Sequence, residues 1–112
     1  MEFSEVIQKR HSVRKYTDQP VDREILDTLI SIAETAPSSK NTHSTAFMLV
    51  EDKDTLNAIS EMRERGASFI KDAAAAIVVM GDTTKTDIWV ENAAISATFI
   101  QLAATALDLG SC

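Results

Sequence analysis

The 112-residue chain carries 11 Lys and Arg against 17 Asp and Glu, a formal net charge of −6, with 45% hydrophobic and 25% charged residues. That balance belongs to an ordinary globular chain with one domain and one core, and it excludes disorder and collagen-like repeats. A pI near 4.8 excludes a general nucleic-acid binder, which needs net positive surface to displace counterions from phosphate.

In chain order, Phe3, Val6 and Ile7 share one helical face and predict a short amphipathic helix over residues 2–9. It delivers the chain to a basic segment, Arg10 to Tyr16, reading RHSVRKY. Asp22 is a good N-cap for a helix over about 23–36, with Ile25, Leu26, Leu29, Ile30, Ile32 and Ala33 as apolar positions. Pro37 disfavours helical geometry at Ala36, and PSSKNTHST then reads as a loop. AFMLV, 46–50, is consistent with a buried strand, and Leu56, Ile59 and Met62 predict a helix over 52–64 with Asp52 or Asp54 as cap and Gly66 ending it. The β-branched Ile77, Val78 and Val79 favour a strand over about 75–80.

The last and longest helix is expected at roughly 86–109, with Ile88, Asn92, Ile95, Phe99, Leu102, Ala106 and Leu109 facing the core. It is apolar nearly all round, so it must be covered on several sides. One small chain does not supply that cover, so the expectation is either that the chain is a fragment or that a partner subunit completes it. Its uncharged run, 92–107, is shorter than the ~20 residues needed to cross a bilayer, so no membrane span is expected. The N-terminus MEFSEVIQKR lacks the apolar block of a secretory signal. A single cysteine, Cys112, cannot close an internal disulfide, and His11 and His43 lack neighbours at metal-ligand spacing. These features describe a cytoplasmic protein with no metal site.

Two segments carry candidate binding chemistry. Arg10, Ser12 and Arg14 occupy alternate positions, so in an extended segment their side chains share one side. Two guanidiniums and a hydroxyl then form a fork for a phosphate; the plainer alternative is a solvated basic turn between helices. PSSKNTH offers Ser38, Ser39, Asn41 and His43 as donors and acceptors along the edge of a planar heterocycle, or simply a turn that caps the preceding helix. With three glycines in all and no glycine-rich phosphate motif, any phosphate must be held by side chains. Trp89 and Tyr16 read as packing residues, and Ser12 beside His11 is adjacency in sequence without the geometry of a nucleophile and base.

RHSVRKYTDQPV, APSSKNTHSTAFMLVED and ENAAISATFIQLAATALDLGS resemble, in order and spacing along the whole chain, the nitroreductase family of FMN-dependent oxidoreductases. The resemblance implies an α+β fold, with helices around a small, mostly antiparallel sheet. It also implies an obligate homodimer built around the long helix, with FMN at the dimer interface. Carried over by position, Arg10, Ser12 and Arg14, with His11 beside them, would hold the FMN phosphate and the pyrimidine side of the ring. Pro37, Ser38, Ser39 and Asn41, with His43 following, would reach the flavin from the other subunit. His43, Ser44 and Thr45 stand where the family usually reads Gln-Pro-Trp.

Members of the family run well past Cys112, so the resemblance implies that residues 1–112 are a single nitroreductase-like FMN-binding domain whose C-terminal part is missing. The implied function is transfer of electrons from NAD(P)H, as co-substrate, through FMN to a nitroaromatic, quinone or similar small-molecule acceptor. The cofactor carries that chemistry, so no catalytic acid, base or nucleophile is assigned. Two alternatives remain: a catalytically incomplete FMN-binding or dimerisation remnant, and a flavin-free module whose basic segment binds an acidic partner.

Overall fold

The computed structural model describes residues 1–112. Its elements follow in the order α1 (Phe3–Lys9), α2 (Arg23–Glu34), β1 (Thr45–Val50), α3 (Lys53–Ser60), β2 (Ala76–Gly81) and α4 (Trp89–Ala106), with short 3-10 turns at Ser39–Asn41 and Ser68–Asp72. The two strands pair antiparallel, from Thr45 opposite Gly81 to Val50 opposite Ala76. This is the α+β architecture that the family resemblance implies.

Helix α2 forms where its apolar spacing requires, burying Leu26, Leu29 and Ala33 on one stripe. Asp22 stands at its N-cap, yet the carboxylate makes no capping bond. The helix stops two residues earlier than expected. Pro37 bars Ala36 from continuing it, and the Thr35 hydroxyl donates to the Ile32 carbonyl at 2.6 Å to close the last turn. Helix α3 begins at a true cap, where the Asp52 carboxylate accepts from the Thr55 N–H at 2.9 Å and from its hydroxyl at 2.7 Å. It ends at Ser60 rather than 64, where the run Glu61 to Arg65 is exposed and Met62, at 64% exposure, buries too little apolar surface to hold another turn.

The largest departure from expectation is the orientation of α4. Its buried residues are Asn92, Ser96, Ala103 and Ala104, whereas Ile88, Val90, Ile95 and Leu107 are exposed. Small side chains let α4 approach α2 and the sheet closely, and the core forms from Leu26, Leu29, Ala103 and Ala104 with Ile32, Leu49, Ile77 and Leu109 packed against it. A helix apolar on every face gives no periodic cue to which face lies inside. Ile88, Val90, Ile95 and Leu107 therefore point away from this chain, while Phe99, Ile100 and Leu102 are half-buried. Trp89 packs at the start of α4 against Gly81, where any Cβ would collide with its ring.

Helix α4 also ends three residues before the expected limit. Asp108 adopts φ of 61°, its N–H donating to Thr105 C=O at 3.1 Å while Leu109 N–H donates to Ala104 C=O at 2.8 Å. That pair of bonds is a Schellman stop, here built on aspartate rather than the usual glycine. Past it, Gly110 and Ser111 run beside the basic segment, with Ser12 and Ser111 in a parallel bridge.

Of 112 residues, 15 are buried, so much apolar surface is left for further contacts. Part of it lines an open groove of about 960 Å³ that includes Val13, Tyr16, Ile77, Val79 and Leu109. No helix is long and apolar enough to cross a membrane.

Candidate functional site

The basic segment leaves α1 at Arg10, whose backbone is extended at φ −60° and ψ 121°. Val13 and Tyr16 turn inward and half-bury, while Ser12, Arg14 and Lys15 are exposed and Arg10 is half-buried. Two contacts fix this course. Val13 N–H donates to Ser111 C=O at 2.9 Å, and the Tyr16 ring lies against Phe69 with centroids 6.3 Å apart. Burial pushes the Tyr16 phenol upward in pKa, helped by Cys112 and opposed by the Arg14 cation, so the phenol stays neutral and acts as an anchor. His11 donates from Nδ1 to the Lys9 carbonyl at 2.9 Å, which turns its ring back over the end of α1 and leaves Nε2 free.

The side chains of Arg10, Ser12 and Arg14 make no hydrogen bond within the chain, and the ion pairs present involve Arg23 alone, with Asp27 and Glu51. In a chain with net charge −6, two guanidiniums without an internal carboxylate are a donor set open to an external anion. Charge-assisted, bidentate bonding to a phosphate is the chemistry such a set suits best.

The second segment starts where Pro37 ends α2. Ser39 to Asn41 make one 3-10 turn, closed by Asn41 N–H to Ser38 C=O and Thr42 N–H to Ser39 C=O, each 3.0 Å. His43 N–H donates to Ser38 Oγ at 3.1 Å. That oxygen is spent on the loop, but the Ser38 hydroxyl hydrogen remains able to donate. Lys40, Asn41 and His43 all adopt positive φ, at 51°, 55° and 48°, a conformation disfavoured for residues with a Cβ. The Asn41 side chain is exposed and makes no internal bond, nor does the Ser39 hydroxyl. Thr42 Oγ1 is buried without a partner. Ser38 and His43 also line a cleft of about 540 Å³ between α2, β1 and α4.

The loop does more than terminate a helix. It is tied across the fold to α4, where buried Asn92 accepts from Ser39 N–H at 3.1 Å and donates to Ser44 Oγ at 3.0 Å. Reading the sequence placed Asn92 on the inner face of α4 but missed this anchoring role. The available signal was an amide at an inward position of an otherwise apolar helix.

Within one chain no hydrogen bond joins residues 10–16 to residues 37–43, and neither of these two clefts is lined by both. No group of three or more His, Cys, Asp or Glu is placed to hold a metal.

Residues 7–66 match the Nitroreductase family profile, a stretch covering more than half of the chain and both candidate segments. The chain belongs to the nitroreductase family. A relative from Methanothermobacter thermautotrophicus, provisionally named NADH dehydrogenase/NAD(P)H nitroreductase, is 35% identical over 99% of this chain and 59% of its own. The solved FMN-dependent nitroreductase of Clostridium difficile R20291 is 44% identical and superposes with a TM-score of 0.93, over 96% of this chain and 62% of that one. A provisionally named nitroreductase from Desulfovibrio desulfuricans, solved in complex with FMN, is 26% identical with a TM-score of 0.86, covering 96% and 64%. The chain thus spans about 60% of the length of these relatives.

Proposed function

We propose that this chain supplies the cofactor-binding part of an FMN-dependent oxidoreductase that moves electrons from NAD(P)H to a nitroaromatic, quinone or similar acceptor. The observation that carries the reading is the set of free donors on the basic segment. Arg10, Ser12 and Arg14 present two guanidiniums and a hydroxyl with no partner inside the chain, which fits the dianionic phosphate of FMN. Similarity to an FMN-dependent nitroreductase and to a structure holding FMN supports the choice of cofactor.

In this reading Arg10 and Arg14 bind and neutralise the phosphate, with Ser12 donating a third bond and His11 offering its free Nε2 beside them. The loop residues Ser38, Ser39 and Asn41, with His43 and the rigid Pro37 flanking them, orient the ring by hydrogen bonds along its polar edge. Bound FMN supplies the redox chemistry, taking up reducing equivalents from NAD(P)H and releasing them to the acceptor. The protein's task is orientation and exclusion of water, and no side chain has to give or take a proton for that.

The exposed large residues of α4 support assembly as a homodimer in which the loop of one subunit meets the basic segment of the other. Titration of FMN against the chain, followed by flavin fluorescence, tests the cofactor assignment. Arg10→Ala and Arg14→Ala each remove a charge-assisted bond worth about 1.5–3 kcal/mol, so each is expected to weaken binding at least tenfold. A double variant that binds as the wild type does would refute the phosphate assignment. Flavin binding without NADH oxidation in the presence of a quinone would restrict the reading to cofactor binding.

A further inference from the structure

We infer that Asn92 is a positioning residue: its one amide clamps both ends of the loop 39–44 and thereby sets the direction in which Ser39 and Asn41 present their side chains. The consequence for the flavin rests on the cofactor reading above; the clamp itself does not.

Asn92 is 3% exposed and Ser44 1%. Asn92 Oδ1 takes the Ser39 N–H and its Nδ2 donates to Ser44 Oγ, so the donor and acceptor of a single side chain are divided between the beginning and the end of the loop. Ser44 is itself fixed to the sheet, its carbonyl accepting from Asp82 N–H at 2.7 Å. Between the two clamped ends lie Lys40, Asn41 and His43, all at positive φ. No glycine relieves that run, and left-handed conformations in such residues persist when surrounding structure imposes them. The short bonds inside the loop close its turns, and the exposed Lys85 Nζ donates a long bond, 3.4 Å, to the His43 carbonyl. Asn92 is what joins it to α4. A buried amide is costly unless both of its ends are satisfied, and here the two partners are the two loop ends.

A purely structural role would make Asn92 interchangeable with any residue that preserves the stability of α4. The comparison is between Asn92→Leu and Asn92→Asp. Leucine fills similar space without hydrogen bonds. Aspartate still accepts from Ser39 N–H, and the Ser44 hydroxyl can rotate to donate to its other oxygen.

The first measurement is amide hydrogen exchange at Ser39 in the protein without FMN. Asn92→Leu is expected to lose protection there, whereas Asn92→Asp keeps it. The second is FMN titration, in which Asn92→Leu is expected to bind about tenfold more weakly and Asn92→Asp close to wild type. Leu29→Ala, a core substitution away from the loop, serves as the stability control and is expected to leave FMN affinity unchanged. Should Asn92→Leu not fold, Ser44→Ala reads the same clamp by removing one of its two partners, with faster exchange at Ser39 as the expected result.

Wild-type protection at Ser39 in a folded Asn92→Leu, or in Ser44→Ala when that variant is the one read, would overturn the inference. So would an equal loss of FMN affinity in Leu29→Ala. If the wild type binds no FMN, the cofactor reading falls while exchange at Ser39 still decides the clamp.

Discussion

Ser12 faces Ser111 across a parallel bridge, and Val13 N–H donates to the Ser111 carbonyl at 2.9 Å. The extended course of the basic segment is therefore held by residues that follow the last helix. Gly110 permits this approach. A Cβ there would lie 3.0 Å from Val13 Cγ1, already tighter than ordinary packing, and a branched side chain would add further atoms to the same gap.

Gly110→Val is accordingly expected to push the two segments apart. Overpacking of this kind costs about 1–3 kcal/mol, so the melting temperature should fall. The more specific outcome is weaker FMN binding, since Arg10 and Arg14 would lose their shared alignment while keeping their charges. Thermal unfolding and FMN titration on the same preparation check both. A variant with a lowered melting temperature and unchanged FMN affinity would mean that the bridge supports the fold without aligning the arginines.

The outward face of α4 predicts a self-association surface. Ile95 is 39% exposed and Val90 54%, on the helix whose opposite side already forms the core of this chain. Ile95→Asp places a charge where a second copy would bury it, and breaking such an interface with an unpaired charge is strongly unfavourable. Because Ile95 is not part of the intrachain core, the variant is expected to fold and to run as a monomer by light scattering at micromolar concentration. A monomeric wild type under those conditions would remove the basis for this surface.

Asp52 gives the clearest dependence on pH. Hydrogen bonds from the Thr55 side chain, and then from its backbone, hold the Asp52 carboxyl below the ordinary aspartate range. A carboxyl with a depressed folded value binds fewer protons in the native state than in the unfolded one. Its contribution is therefore complete above the ordinary aspartate pKa and is lost as pH falls through the lower folded value. Asp52→Asn retains an oxygen for the cap but does not titrate. Melting curves of the two proteins should run nearly parallel at neutral pH and converge or cross as the solution is made acidic. Asp82, lowered in the same way by Thr84, is common to both and cancels in the comparison.

The fold was legible wherever a local rule met no competitor. Leu26, Leu29 and Ala33 repeat at helical spacing against a polar opposite face, Pro37 forces an end, and Ile77, Val78 and Val79 favour extended backbone. Periodicity failed at α4 because nearly every position is apolar. There the choice of inner face is made by size, with Ser96, Ala103 and Ala104 permitting close approach while Ile95 and Val90 are turned out. The left-handed Asp108 was also hidden, since aspartate at a helix stop is uncommon beside glycine. Arg10 and Arg14 stood out by charge in an acidic chain, Ser12 by its alternate position between them, and the loop by its run of hydroxyls and amides. Asn92 did not, because its role depends on groups roughly fifty residues distant that only the tertiary fold brings to it.

The absence of any hydrogen bond between the two candidate segments within one chain leads to the last prediction. A phosphate fork alone accepts any phosphorylated ligand, so selectivity for a flavin has to come from groups that bond its ring, and Ser38, Ser39 and Asn41 are the candidates. These lie on a loop that makes no hydrogen bond to Arg10, Arg14 or their neighbours in its own chain. If two copies complete each site, damage to the two segments should complement. An Arg10→Ala/Arg14→Ala chain and an Asn41→Ala chain, each impaired alone, would form a heterodimer with one site carrying both lesions and one site carrying neither. FMN binding at wild-type affinity should then return, toward one competent site per heterodimer, with NADH oxidation following wherever the chain is catalytically competent. Native mass spectrometry establishes that the mixed dimers form. Mixed dimers with no recovered binding would place both segments in the same site of one chain, or would reduce the loop to the structural end of α2.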